Sequence, residues 1–307
     1  MSNIIMVNKV IPVVMLCLSM NVSAADIEID SREYKLLLNA DLFTGDAASR
    51  ASKVNDYWNA LHNAIQNSTR EKSAIESNAS GSLSLNKNRT VSFYDVPGSC
   101  DLSNAGYSFR ERVEKGKRKV TLKFRSADQS IASTKDLHGT KSKAKSKFEE
   151  DIAVSFVSTY SSSTTQKIGN SKNLNKMDDP VGLYPGLKSE DFDQHLAIKK
   201  VSDLTVNEYV YESAIVKIGG IDEIAALNTA FALTLWYNES VSTTQAIVAE
   251  ISFKYKSDHG HFNSKVDTRA KALFTMMQYN PQLTHWNSTN SLSKTATIYQ
   301  YDPHFCY

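Results

Sequence analysis

The stretch Tyr107–Arg125, YSFRERVEKGKRKVTLKFR, alternates charged and apolar side chains on both sides of a Lys115-Gly116-Lys117 turn. Successive side chains of a strand point to opposite faces, so this pattern predicts a β-hairpin. Its first strand places Arg110 and Arg112 on one face, with Phe109 and Val113 on the other. The second strand aligns Lys119, Thr121, Lys123 and Arg125 opposite Val120, Leu122 and Phe124. Both strands therefore carry one cationic face and one apolar face.

The same alternation recurs in KSKAKSKFEEDIAVSF, where Lys141, Lys143, Lys145, Lys147, Glu149 and Asp151 oppose Ser142, Ala144, Ser146, Phe148, Glu150 and Ile152. Strands are expected at 32–38, 89–95, 107–114, 118–126, 145–157, 208–218, 229–238 and 245–256. Eight such strands make an antiparallel sheet large enough to curl or close. Val54, Trp58, Leu61 and Ile65, and again Val266, Ala270, Leu273, Phe274 and Met277, recur at helical spacing. They predict two amphipathic helices that cover the sheet. The Ser- and Asn-rich stretches 66–88 and 158–176 read as surface loops. The segment 178–200, which holds Pro180 and Pro185, reads as a link between two halves of one domain. No internal repeat points to a solenoid or propeller.

Composition narrows the function. The 307 residues include 35 Lys+Arg against 33 Asp+Glu, for a formal net charge of +2, with 41% hydrophobic residues. A uniformly basic nucleic-acid coat and an acidic disordered tail are both excluded. Near the N-terminus, the apolar run Val10–Val22 follows Lys9 and precedes Ser23-Ala24-Ala25. That is the layout of a secretory signal peptide cut after Ala24 or Ala25, and the run is too short to span a bilayer. The expected mature protein, 26–307, is secreted across the inner membrane into the periplasm, with no stable membrane span. It retains Cys100 and Cys306, which an oxidising compartment allows to pair. Sequons at Asn67, Asn78, Asn88, Asn238 and Asn287 matter only in a glycosylating host.

Several like charges on adjacent strands repel one another unless an anion sits on them. Phosphate oxygens match guanidinium and ammonium donors, and Arg110, Arg112, Lys123 and Arg125 form such a set. Nucleic acid is disfavoured because Phe109 and Phe124 point to the opposite face, leaving no aromatic platform among the cations. Carboxylates share the cationic parity: Glu33 with Lys35, Glu149 with Asp151, and Glu250 with Ser252 and Lys254. Hard oxygen ligands among phosphate-binding cations suit Mg²⁺ or Mn²⁺, or the same acids simply pair with the lysines. Asp258-His259-Gly260-His261 is a weak metal pattern, and Gly139-Thr140-Lys141-Ser142 lacks the upstream glycine of a P-loop. Nucleophile-elbow, C-x-x-C and H-E-x-x-H patterns do not occur.

Residues 89–125, RTVSFYDVPGSCDLSNAGYSFRERVEKGKRKVTLKFR, resemble the central run of the CYTH, or triphosphate tunnel, superfamily. Glu33-Tyr34-Lys35 is similar to part of its opening E-x-E-x-K element, and Glu149-Glu150-Asp151 and Glu250-Ile251-Ser252 to its later acidic strands. The resemblance spans most of 31–278. It implies an α+β, mainly β fold: an eight-stranded antiparallel β tunnel, closed or nearly closed, with flanking helices. An irregular insertion at about 158–200 and a C-terminal extension at about 280–307 complete the domain. Members act on triphosphates, so the resemblance implies metal-dependent hydrolysis of tripolyphosphate or a similar small molecule, or binding without turnover. Lys35, Arg89, Arg110, Arg112, Lys123 and Lys147 would hold phosphates, with Arg125 and Lys254 on the same cationic face. Glu33, Glu149, Asp151 and Glu250 would hold metal or orient water, with Glu33 and Lys35 closest to catalysis. Ser31 and Ser252 stand where the superfamily has acids, which weakens the expected metal site.

Overall fold

The structure is a computed structural model that describes residues 28–70, 77–218, 227–239, 242–290 and 292–307. The signal peptide expected at 1–25 lies outside the described residues. Strands β1 (Ser31–Leu38), β2 (Ser77–Ser80), β3 (Ser84–Asp95), β4 (Tyr107–Glu114), β5 (Lys117–Ser126) and β6 (Lys145–Ile152) come first. They are followed by β7 (Ser158–Lys167), β8 (Lys199–Lys200), β9 (Val206–Glu212), β10 (Ile215–Ile218), β11 (Leu227–Asn238) and β12 (Ser242–Lys256). The order β12-β1-β6-β7-β5-β4-β3-β9-β11 closes on itself because β11 pairs back to β12.

The closed ring therefore has nine strands rather than eight. The additional strand is β7, STYSSSTTQK, in the stretch expected to be a surface loop and the start of an irregular insertion. Its β-branched threonines suit a strand, but polar residues on both faces hide the alternation. Thr159, Ser163 and Thr165 face the lumen, while Thr164 and Gln166 are buried beneath the insertion. The ring is also not wholly antiparallel. β1 and β6 run parallel, with Glu33 opposite Asp151, a pairing across a long crossover that hairpin spacing cannot reveal. The expected strand 145–157 ends at Ile152, and 208–218 divides at Ser213, whose φ of 90° turns the chain between β9 and β10.

The barrel is polar inside and apolar outside, and three clusters follow from that. Helices Ala47–Arg70 and Ser264–Tyr279 lie over the outward faces of β1, β11 and β12, burying Trp58, Leu61 and Phe274 with Tyr34, Phe231 and Phe253. The segment 178–200 is a cover rather than a link. Val181, Leu183, Tyr184 and Leu187 pack on the outward Phe109, Val120, Leu122 and Phe124. The Tyr184 hydroxyl lies 3.0 Å from both the Val120 and Thr164 carbonyl oxygens. The third cluster packs at one end of the barrel and is described with the site.

Cys100 and Cys306 are joined in a disulfide across 206 residues of sequence. It fastens the C-terminus to the turn after β3. Reducing it, or replacing both cysteines by Ser, is expected to cost about 2–5 kcal/mol of stability, measured by denaturant unfolding. No helix among the described residues is long and apolar enough to cross a membrane.

Candidate functional site

Alternation along the nine strands aims one side chain in two into a lumen of about 820 Å³. Its wall contains Glu33, Lys35, Arg89, Arg110, Arg112, Lys123, Arg125, Lys147, Glu149, Asp151, Glu250 and Lys254, so the candidate phosphate- and metal-binding residues converge on one space, whereas Lys119 and Lys145 of the same strand faces do not line it. Lys141 and Lys143 precede β6 and do not take part in its alternation. Four further charged residues line the lumen that sequence reasoning did not select: Lys87, Glu208, Glu212 and Lys294. Parity along β3 and β9 would have flagged Lys87, Glu208 and Glu212. Nothing local marks Lys294, which arrives from the C-terminal extension.

The lumen has a direction. At one mouth Lys147, Lys254 and Lys87 are 53%, 44% and 32% exposed. At the other end Val91, Phe93, Val206, Trp236 and Val248 pack with Ile298 of the helix Lys294–Tyr301. Each of those strand residues shares parity with a lumen residue, Val91 with Arg89 and Val248 with Glu250, so this cluster is a plug inside the barrel. The C-terminal extension completes it. Tyr299 donates to Asp95 at 2.8 Å, Ser202 donates to the Ile298 carbonyl at 2.8 Å, and Ser288, Ser293 and Thr295 add to the wall.

Ion pairs divide the lumen into two compensated groups and an uncompensated one. Lys35 lies 2.7 Å from Asp151 and 3.2 Å from Glu33, and Lys123 lies 3.0 Å from Asp151. Glu149 accepts from Ser31 at 3.2 Å and faces Lys147 and Lys254 at 3.5 and 3.7 Å, while Lys294 reaches Glu250 at 2.6 Å. On the opposite wall Glu208 is 1% exposed and pairs with Arg89 and with Arg112, the latter at 3.2 Å. The Trp236 indole also donates to Glu208, at 3.1 Å. Arg110 has neither an ion pair nor a side-chain hydrogen bond among the described residues, and its Nε is buried without a partner. Ser252, opposite Lys35 across β1 and β12, lines the wall as a hydroxyl.

The charges respond accordingly. Burial, with Arg112, Arg89 and Arg125 nearby, pushes the Arg110 guanidinium well below its ordinary range, against the attraction of Glu208. Burial likewise pushes Lys123 down to about 8, helped by Arg125 and Lys35 and opposed by Asp151. Burial works against the charge of Lys35 as well, but Asp151, Glu33 and Glu250 outweigh it and hold that lysine above its usual range. Glu208 stays ionised well below the carboxylate range despite burial, because Arg112 and Arg89 stabilise its charge.

The wall carries ten cationic side chains against six carboxylates, an excess that a polyanion would neutralise. This is a closed barrel with a net-cationic lumen. No protein-family model matches the chain, and no curated protein matches it. Solved structures do resemble it. A "putative adenylyl cyclase" from Hippeastrum, described as having a dominant triphosphatase activity, is 12% identical, with 89% of this chain and 96% of that chain covered at a TM-score of 0.39. A "putative adenylate cyclase" from Bacillus halodurans is 11% identical over 88% and 96% of the two chains, at a TM-score of 0.38. The PH1819 protein of Pyrococcus horikoshii OT3 is 11% identical over 88% and 99%, at 0.31.

The tunnel's carboxylates are oxygen donors of the kind Mg²⁺ takes, and Glu33 and Asp151 stand side by side across β1 and β6. Among the described residues no three His, Cys, Asp or Glu side chains group as a metal site, and the lysine pairing that the sequence left open is what the acids show. One or two carboxylates suffice for Mg²⁺ when substrate phosphates complete its shell, so the donor set fits.

Proposed function

We propose that the protein is a periplasmic phosphohydrolase that takes inorganic tripolyphosphate, or a similar triphosphate compound, into the tunnel with Mg²⁺ or Mn²⁺. The observation that carries this reading is Arg110, a half-buried arginine whose Nε is buried without a partner and which has no carboxylate partner inside a closed, net-cationic lumen. A buried charge left unpaired is costly, and an arriving phosphate supplies the missing partner. Arg110, Arg112, Lys123 and Arg125 bind the phosphate oxygens, with Lys35 and Arg89 on the flanking strands. Lys147 and Lys254 attract the anion at the mouth. Glu33 and Asp151 would hold the metal ion, with Glu149 and Glu250 beside them. That ion would offset charge on the phosphate oxygens.

The reaction is an in-line displacement. A water oxygen bonds to the terminal phosphorus, the bond from that phosphorus to the bridging oxygen breaks, and tripolyphosphate plus water yields diphosphate and orthophosphate. The cations fix the chain and stabilise charge on the departing oxygen. The test is phosphate release from tripolyphosphate by the purified mature chain with Mg²⁺ or Mn²⁺. Release that is lost with Arg110→Met supports hydrolysis. Thermal stabilisation that grows with tripolyphosphate concentration, without release, would replace hydrolysis by binding alone.

Lys123 sets a pH dependence. With its pKa at about 8 in the free protein, it loses its charge as pH rises through that value, whereas a bound phosphate holds the proton. Binding therefore takes up a proton near this pH, and affinity falls as pH rises from about 7 to about 9. Calorimetry across that interval checks it, and Lys123→Arg is expected to flatten the profile.

A further inference from the structure

At the end of the lumen away from Lys147 and Lys254 the wall turns from charged to aliphatic, and it does so on three neighbouring strands. Along β1 the residues facing the cavity run Glu33, Lys35, Leu37, and along β6 they run Lys147, Glu149, Asp151 and then Ala153 just past its end. β7 runs the other way, so Ser163 and Thr159 lead back to Val157. The pairs Glu33–Asp151 and Asp151–Thr159 bring the three changes to the same end, where the Ala153 N–H donates to the Val157 carbonyl at 2.9 Å. Val154 and Leu292 line the same space, which gives an aliphatic patch of Leu37, Val154, Val157 and Leu292 continuous with the cationic wall.

The patch is held out in water by a fixed turn. Val157 is 58% exposed, more than any other Val, Leu or Ile among the described residues, and Val154 is 37% exposed. Between them Ser155 and Phe156 take φ of 61° and 59°, a left-handed backbone that costs non-glycine residues free energy. The turn is nevertheless anchored: the Ser155 N–H donates to Gln278 Oε1 at 3.2 Å, and the Phe156 ring stands edge-on to Phe274 at 5.7 Å. Two valines are thus kept away from the core at a backbone cost, beside a site for a charged ligand. Aromatic surface is missing from the patch. Among the described residues lining the cavity the one aromatic ring is Trp236, which is 1% exposed and donates to Glu208, so a flat heterocycle finds no free ring face there.

We propose that the cavity takes an aliphatic ester of a short phosphate chain, with the phosphates on the cationic wall and the hydrocarbon over Leu37, Val154, Val157 and Leu292. This deepens the phosphate reading and rests on it. Hydrocarbon laid on exposed valines leaves water in proportion to the area covered, so affinity rises with the length of the aliphatic group until the patch is filled. Inorganic tripolyphosphate uses the same cations and leaves the patch wet.

A series with one head group tests this. Inorganic diphosphate, isopentenyl, geranyl and farnesyl diphosphate, and ADP as the aromatic-bearing diphosphate, are titrated into the mature chain by calorimetry. Affinity is expected to rise at least about tenfold from isopentenyl to geranyl diphosphate, and ADP is expected to bind no better than isopentenyl diphosphate. Val157→Asn, and separately Val154→Asn, are expected to remove most of that gain while tripolyphosphate affinity and the melting temperature stay at their wild-type values, since both side chains are exposed in the free protein. A flat series, a gain that survives in both variants, or no binding of any ester while tripolyphosphate binds would overturn the proposal. ADP binding as tightly as geranyl diphosphate would overturn the aliphatic class. If the wild-type chain binds neither tripolyphosphate nor inorganic diphosphate, the phosphate reading itself fails, a result distinct from a flat series.

Discussion

Replacing Arg110 by Met is expected to weaken tripolyphosphate binding about 100-fold while the ligand-free protein melts at the same temperature or higher. The two effects have one origin. Arg110 sits in the wall without a carboxylate partner, facing Arg112, Arg89 and Arg125. In the free protein its charge is desolvated and repelled, so an apolar side chain of similar length relieves that repulsion. In the complex the same guanidinium makes charge-assisted bonds to phosphate, and losing them costs about 2.8 kcal/mol for two decades of affinity. Calorimetry gives the first quantity and a thermal melt the second. A drop in both affinity and melting temperature would mean that Arg110 is a structural residue with a partner in solution, and the phosphate reading would lose its main support.

Glu208→Gln is expected to do the reverse. Glu208 is buried and holds Arg89 and Arg112 together, with the Trp236 indole as a third partner. Removing its charge leaves two guanidinium groups beside Arg110 with no acid between them. Breaking a buried pair from one side costs about 3–5 kcal/mol, which for a chain of this size lowers the melting temperature on the order of 10 °C. Tripolyphosphate is expected to stabilise the variant more than it stabilises the wild type, because the anion then compensates Arg89 and Arg112 as well. The measurement is the ligand-induced melting shift in both proteins at matched ligand concentrations. Equal shifts would show that Glu208 and the ligand do not share these arginines.

Most of the lumen was legible from alternation alone. Arg110, Arg112, Lys123 and Arg125 read as one face because the opposite positions, Phe109, Val120, Leu122 and Phe124, are apolar and must be buried. Where the outward face is itself polar, that signal disappears. β7 is hidden for this reason, since Ser162, Thr164 and Gln166 are satisfied by hydrogen bonds to the Ala132 carbonyl, the Ser146 hydroxyl and the Leu183 carbonyl. The insertion in turn looked like a linker because Pro180 and Pro185 interrupt it, and its apolar residues, Met177, Val181, Leu183, Tyr184 and Leu187, are spread over two short helical turns, Asp178–Leu183 and Pro185–Glu190. They fit the outside of the hairpin, and only that surface gives them a reason to be there.

The sequence by itself determined which side chains share a face, and hence that cations and acids are drawn from the same parity on several strands. Parity is a property of the covalent backbone and needs no partner. Which cations are neutralised was settled only by the tertiary structure. Pairing depends on distances of about 3 Å between groups that lie far apart in the chain, and it divides Arg112, held by Glu208, from its near neighbour Arg110, held by none. The place of the C-terminal extension was settled there too. Lys294 and Ile298 stand more than forty residues from Glu250 and Val248 in sequence, and only the packed C-terminal helix brings them to the barrel.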